Sequence, residues 1–326
     1  MKILSLLFLL TSIIYGDKIL KIATYNVENL FDLEKKGYKY KEYKPYGKSL
    51  WNKKNYKTKL DNISKVIKEI DADIIALQEI HSKKALLDLR KSLKQKGLYY
   101  QHYSIADKKP TAIKVAILSK IPFVYSKELH VGYSYKYRNI LETKFRINNK
   151  ELYLFNNHWK SKAGPESMRI TSAKKLRDRI ETIGYDKNII LLGDFNSDYE
   201  EYKKFKRKRK HNDTNGKTGI NHVLRSIKPA KNGFYNLWYD AKEENRYSYI
   251  YRGKKEALDN ILISQPLLDT KDVSYVKNSI KNFNKKYLVK KKNIYRWQMS
   301  YGKIKKHKGK GYSDHLAVVA KFIVRQ

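Results

Sequence analysis

Residues 190–198 read ILLGDFNSD: an apolar run stops at Gly193, and two aspartates and an asparagine, Asp194, Asn196 and Asp198, follow at once. Continuous apolar residues over 188–192 read as a strand buried on both faces, and a glycine at the end permits a sharp turn. Polar side chains placed there leave the core yet stay rigidly held. Asp194 suits orienting or deprotonating a water, and Asn196 suits donating a hydrogen bond to a phosphoryl oxygen.

The same arrangement recurs along the chain. Residues 18–27 (KILKIATYNV) alternate toward a strand, Leu60, Ile63, Val66, Ile67 and Ile70 repeat at helical spacing, and 73–80 (DIIALQEI) is a short β-branched run. Strand, helix, strand is the implied order. Further strands are expected over 112–118, 139–147, 151–157, 258–264 and 316–324, and Ala173, Leu176, Ile180 and Ile183 mark an amphipathic helix. The pattern predicts β-sheets sandwiched by helices. With no Pro-, Gly- or Ser-rich linker and no internal repeat, residues 17–326 are expected to form one domain.

Composition narrows the function classes. A chain of 326 residues with 41% hydrophobic content can bury a sizeable core. Cysteine is absent, which excludes disulfides and thiolate metal sites. Residues 1–16, MKILSLLFLLTSIIYG, give one lysine, an apolar stretch and a small residue at Gly16. They read as a signal peptide, too short for the roughly 20 residues of a membrane span. Export to the periplasm or the medium, with no stable membrane association after processing, is the expectation.

The 71 Lys and Arg against 32 Asp and Glu give a net charge of +39, a surface that attracts polyanions. Basic residues concentrate at 202–210 (YKKFKRKRK) and at 281–310, where twelve Lys or Arg stand without an acid. Aromatic residues interleave there (Phe283, Tyr287, Tyr295, Trp297, Tyr301), a mixture that pairs with phosphates and stacks on bases. A solvated lysine surface would look the same, so charge nominates a partner without identifying it.

Polar clusters stand at the ends of several strands: TYNVENLFD (24–32), LQEI (77–80), NNHWKSK (156–162) and GDFNSD (193–198), while YSDH (312–315) leads into the last strand. Asn26 and Glu28 lie two apart, hence on one side of a regular strand, and Glu79 leaves a neighbouring one. Such hard oxygen ligands suit Mg²⁺ or Mn²⁺. His158 and His315 could work as a pair, one on the phosphate or leaving oxygen and the other on the attacked phosphoryl group or the water. Asp259, in LDNILIS (258–264), is a candidate to fix one histidine's tautomer.

Taken in order, TYNVENLFD, LQEI, NNHWKSK, GDFNSD, LDNILIS and YSDHLAV resemble the endonuclease/exonuclease/phosphatase superfamily over Ile19 to Phe322. The resemblance implies a four-layer α/β sandwich with two mixed β-sheets packed face to face and helices outside. It implies that Asn26, Glu28 and Glu79 hold the divalent ion, with Glu79 the direct ligand and Asp314 near the metal. Asp194 and Asn196 would orient the nucleophilic water and stabilise the transition state. His315, oriented by Asp259, would contact the scissile phosphate or act as base, and His158 resembles the other catalytic histidine. Arg138 occupies the place of a phosphate-contacting arginine. Where members carry an acid that supports the first histidine, this chain has Ile113 and Lys114, and Lys160 would assist on the phosphate instead.

The superfamily also cuts phosphomonoesters, inositol phosphates and sphingomyelin. A leader, a basic surface and no uncharged hairpin for entering a bilayer favour an exported, monomeric Mg²⁺-dependent nuclease acting on DNA, with RNA left open. The rival readings are a lipid or inositol phosphate hydrolase of the same superfamily and a non-catalytic DNA-binding protein.

Overall fold

The computed structural model of the chain describes residues 16–34, 40–205, 212–227 and 231–326. Most of the expected signal peptide and part of the basic run at 202–210 lie outside the described residues. Within them, no helix is long and apolar enough to cross a membrane.

Two mixed sheets form the body. The first runs β13 (Val273–Tyr275), β17 (Val318–Val324), β1 (Lys18–Leu30), β2 (Ile74–Ile80), β4 (Lys114–Ser119), β3 (His102–Ile105), with β14 (Lys281–Asn282) also on β17. The second runs β5 (Phe123–Leu129), β6 (Ile140–Ile147), β7 (Lys150–His158), β8 (Ile189–Asp194), β12 (Asp259–Ser264), β9 (Phe234–Asn236). Among the described residues, only β1 with β2 and β7 with β8 pair in parallel. Each of these pairs is bridged by a long helix, α1 (Lys53–Ile70) and α3 (Glu166–Ile183) respectively. Two hairpins, β10 (Tyr249–Tyr251) with β11 (Lys254–Glu256) and β15 (Val289–Lys290) with β16 (Asn293–Ile294), stand apart from the sheets.

Side-chain alternation builds the layers. Leu20, Ile22, Ile74 and Ala76 face inward against Leu152, Leu154, Ile190 and Leu192 of the second sheet. Their neighbours Ala23, Ile75 and Leu77 point outward onto Ile63, Val66 and Ile67 of α1 and Leu86 and Leu89 of α2 (Lys83–Gln95). On the far side Phe155, Ile189 and Leu191 pack under Ala173, Leu176 and Ile180 of α3. The result is the four-layer sandwich with two mixed sheets inside. A buried polar link at Gln78 joins the sheets: Gln78 Nε2 donates to Asn156 Oδ1 at 2.7 Å, and Asn156 Nδ2 donates to Leu77 O and Ala116 O. Left half-satisfied, this link would be costly, so it fixes how the sheets sit against each other.

Candidate active site

Strand register puts much of the site at one edge of the sandwich. In the second sheet His158 ends β7, Asp194 ends β8 and Asp259 begins β12, and Asp194 is the ladder partner of both others. Gly193 takes φ +130°, and a Cβ there would meet Asn157 O at 2.1 Å, so the close approach of β7 and β8 requires a glycine. The turn that follows puts Asn196 in a left-handed conformation, with its N–H on Asp194 Oδ1 at 2.8 Å.

From the first sheet, the site residues arrive through irregular backbone. The β1–β2 register slips between Asn26 and Leu30, the β2–β4 register slips between Leu77 and Ile80, and Glu28, Asn29 and Glu79 all have positive φ. Left-handed backbone at such residues costs of order 1–3 kcal/mol each and persists where surroundings enforce it. Here it aims Glu79 into the cleft. Glu79 Oε1 accepts from Asn26 Nδ2 (3.2 Å) and Oε2 from the Asn29 N–H (2.8 Å), while the same Asn26 amide reaches Asp194 Oδ2 at 3.0 Å. His315 comes from the loop before β17, and Ser313 ties that loop down by donating to Asn26 O at 2.6 Å.

Asn26, Glu79, His158, Asp194, Asp259 and His315 are therefore gathered. His315 Nδ1 lies 2.6 Å from Asp259 Oδ2, and His315 Nε2 lies 4.0 Å from Asp194 Oδ2. His158 Nε2 lies 3.5 Å from Asp194 Oδ2 and 3.7 Å from Glu79 Oε1.

Burial sets the electrostatics. It pushes Asp194 up to about 7, with Asp259 and Glu79 adding to the rise against the opposing pull of His315. Glu79 is likewise raised by burial and by Asp314. Burial also disfavours charge on His315, but the Asp259 carboxylate and its hydrogen bond overcome this and hold the imidazole well above its usual range. His158 is driven the other way by burial, Arg138 and His315, and its buried Nδ1 has no hydrogen-bond partner among the described residues. That orphan matches the local sequence: Ile113 lines the cleft, and Lys114 Nζ is spent on His81 O and Thr111 O.

Around these groups lies a cleft of about 840 Å³. Arg138, Asn196 and Asp314 line it as well. Arg138 Nη1 and Asn196 Nδ2 both donate to Trp159 O, at 3.0 and 3.2 Å.

Two expected residues lie elsewhere. Glu28 does not share a side with Asn26, because the positive φ at Glu28 interrupts the alternation on which that expectation rested. Its carboxylate is instead gripped by the Arg296 guanidinium (Nε 2.9 Å) and the Trp297 N–H (3.1 Å). Lys160 is absent from the cleft lining and lies along Gly164. Two places on, Lys162 lines the cleft, paired with Glu201 at 2.9 Å and Glu256 at 3.0 Å. Asp198, the last acid of the opening stretch, is structural: it accepts from Ala257 N and Glu200 N and pairs with Lys204.

Sequence reasoning missed Arg296, which bridges Glu28 and, at 3.2 Å, Asp314. It also missed the β10–β11 hairpin, which adds Tyr251, Arg252 and Lys254 to the cleft wall and sets the Tyr249 ring 4.9 Å from that of His315. The basic-aromatic run YSYIYRGKK (247–255) was the available signal.

No curated protein matches the chain. Among solved structures, it is similar to D. rerio TDP2 complexed with single-strand DNA product, with a TM-score of 0.59 and 16% identity over 94% of this chain and 99% of that one. A mannosyl-6-phosphatase of Bacteroides thetaiotaomicron gives 0.56 and 14% over 93% and 99%. A functionally unknown conserved protein from Enterococcus faecalis gives 0.58 and 13% over 94% and 100%. These likenesses are of fold. In sequence, the profile of the Endonuclease/Exonuclease/phosphatase family matches residues 21–324, nearly the whole chain, and the chain belongs to that family.

Proposed function

We propose that the chain is an exported Mg²⁺-dependent deoxyribonuclease, a monomer of residues 17–326 that hydrolyses phosphodiester bonds of DNA with little sequence specificity. One observation carries this reading: the Asp194, Asp259, His158, His315 and Glu79 cluster opens into a cleft whose wall carries Arg138, Lys162, Arg252 and Lys254. Acid at the centre suits a water and a cation, and base at the wall suits a polyanion.

A divalent ion fits the donor set. Glu79 and Asp194 share the Asn26 amide, and burial raises both, so a bound cation would relieve a charge penalty that the protein leaves standing. Among the described residues, no three His, Asp or Glu side chains form a complete cage. Mg²⁺ tolerates this, because it keeps several waters and uses one or two carboxylates. Glu79 would hold it, with Asn26 and Asp314 nearby. Bound there, the ion supplies charge neutralisation at the scissile phosphate.

The chain's own groups do the rest. A water attacking phosphorus gives its proton to Asp194, whose Oδ1 is held by the Asn196 N–H. As the new P–O bond forms, the bond to the sugar oxygen breaks in line, and that oxygen takes a proton from solvent, because burial and Arg138 hold His158 toward its neutral form. Protonated His315, braced by Asp259, donates to a phosphoryl oxygen. Arg138 steadies the phosphate.

The direct test incubates purified protein with supercoiled plasmid, linear duplex, single-stranded DNA and RNA, under Mg²⁺ and under chelator. Sphingomyelin, an inositol phosphate and a sugar phosphate serve as comparison substrates. Nicking of plasmid that stops on chelation is the expected result. Hydrolysis of a comparison substrate with DNA left intact would overturn the reading, and DNA binding without cleavage would replace it with a non-catalytic one.

Ion binding also has a readout independent of turnover. Glu79 and Asp194 have raised folded-state values, so their protonation stabilises the fold at low pH and this contribution is lost as pH rises, for Asp194 through about 7. Protons and Mg²⁺ therefore compete. The gain in Tm on adding Mg²⁺ is expected to grow from pH 5 to pH 8, by mass action on the ionised site. A gain independent of pH, or its survival in Glu79→Gln, would show that the ion binds elsewhere.

A further inference from the structure

A second concave surface begins next to the catalytic cleft. Tyr40 lines the cleft, and the next residue, Lys41, is the first of a groove of about 960 Å³ between the 41–49 segment and the 303–305 loop. Five lysines line it (Lys41, Lys44, Lys48, Lys303, Lys305), together with exposed Tyr46 and a single acid, Glu42. None of the five lysines is in an ion pair or a side-chain hydrogen bond with another described residue, although elsewhere in this chain lysines pair readily with nearby acids, as Lys57 does with Asp61 and Lys150 with Asp272.

Its two walls are pinned together, so the groove has a fixed shape. His307 is buried at the base: its backbone N–H donates to Ser49 O at 2.9 Å and its Nδ1 accepts from Trp297 Nε1 at 2.8 Å. An indole nitrogen only donates, so the ring proton sits on Nε2, which reaches Glu42 O at 2.8 Å. Through Trp297 the groove floor is joined to Arg296, and so to the Asp314 edge of the catalytic cleft.

Five like charges facing a single acid repel, and their ordinary remedy is a counterion atmosphere. A phosphodiester backbone displaces those counterions and gains their release entropy. We propose that this lysine groove is a second DNA site, which takes the sugar-phosphate backbone beyond the nucleotides in the catalytic cleft. The inference rests on the nuclease reading and adds to it: the substrate is a polymer long enough to occupy both surfaces, and affinity for it is set partly outside the catalytic centre.

The test uses two variants of the full chain. One changes Lys44, Lys48, Lys303 and Lys305 to Ala. The control changes Lys83, Lys91, Lys174 and Lys175, exposed on α2 and α3, and so removes the same charge elsewhere. Binding of a 30-base-pair duplex is measured over a salt series with Asp194→Ala added to every chain, and cleavage is measured without it.

The groove variant is expected to bind about 10-fold more weakly at physiological salt. Its salt slope should flatten by about 0.9 for each phosphate that the groove no longer neutralises. Its kcat/KM for plasmid should fall in step, with turnover of bis(p-nitrophenyl) phosphate unchanged. Equal losses in the groove and control variants, or no loss in the groove variant, would overturn the second site while leaving nuclease action standing. A parent chain that neither binds nor cuts DNA would defeat the nuclease reading first, and the groove assignment with it.

Discussion

Replacing Asp194 with Ala is expected to lower kcat for plasmid nicking by about 10³-fold or more, roughly 4 kcal/mol in barrier height, while duplex affinity stays the same or improves. The expectation follows from the position of the carboxylate. Asp194 stands between His158 at 3.5 Å and His315 at 4.0 Å, and both oxygens are already oriented, Oδ1 by the Asn196 N–H and Oδ2 by the Asn26 amide. A group held in this way can take a proton from an attacking water without reorganising. Binding should not suffer, because removing a negative charge from a cleft that receives phosphate cannot weaken attraction. Stability is a balance of two terms. The variant strips Asn26 and Asn196 of an acceptor, at about 1–3 kcal/mol for each donor left buried and unpaired. It also removes a carboxylate that burial and its acidic neighbours penalise. The two oppose, so Tm should shift by only a few degrees, measured by calorimetry beside the activity assay. Near-wild-type nicking would remove Asp194 from the chemistry, and a collapse of Tm would make its role structural.

The strands were legible because their side chains alternate or run continuously apolar. Residues 188–192 and 258–264 were expected as strands, and β8 and β12 follow with ends displaced by one or two residues. Helix α2 was missed although Leu86, Leu89 and Leu93 carry a helical repeat, because that run is short and crowded with lysines. Short strands such as β9 and β13 carry no pattern of their own and exist through their ladder partners, β12 and β17.

In the site, legibility stopped where backbone regularity stopped. Spacing alone put Glu28 beside Asn26, and a local left-handed turn undid this. Lys160 and Lys162 could not be told apart, since the choice depends on Gly164 and on the distant Glu201 and Glu256. Arg296 could not have been found from spacing at all: it lies 268 residues from Glu28 in the chain, inside a basic run that reads as surface. Conversely, Asp194 and Asp259 lie far apart in sequence yet are direct ladder partners.

Asp259→Asn is the second large effect, expected to cost about 10²–10⁴-fold in kcat although Asp259 is built to act through His315 and not on the substrate. Its Oδ2 lies 2.6 Å from His315 Nδ1, and its Oδ1 has no hydrogen-bond partner among the described residues, so the carboxylate serves the imidazole. Asparagine keeps the shape and an acceptor but loses the charge. Burial then opposes only the lesser pull of Asp194 and Asp314, and His315 falls. The imidazolium that donates to phosphate would be populated only at more acidic pH. The alkaline limb of the pH–rate profile is therefore expected to move to lower pH in the variant, with part of the lost rate recovered as pH falls. Had His315 acted as a base, the acid limb would move instead. Stability gives a second readout with a definite sign. A histidine raised in the folded state contributes stability that is full below its unfolded value of about 6.5 and is lost as pH rises through its folded value. The Tm deficit of Asp259→Asn should accordingly be largest near pH 6 and shrink on the alkaline side. A deficit that is constant across that range would mean that the Asp259–His315 contact holds the loop before β17 by hydrogen bonding alone, and the charge on His315 would drop out of the mechanism.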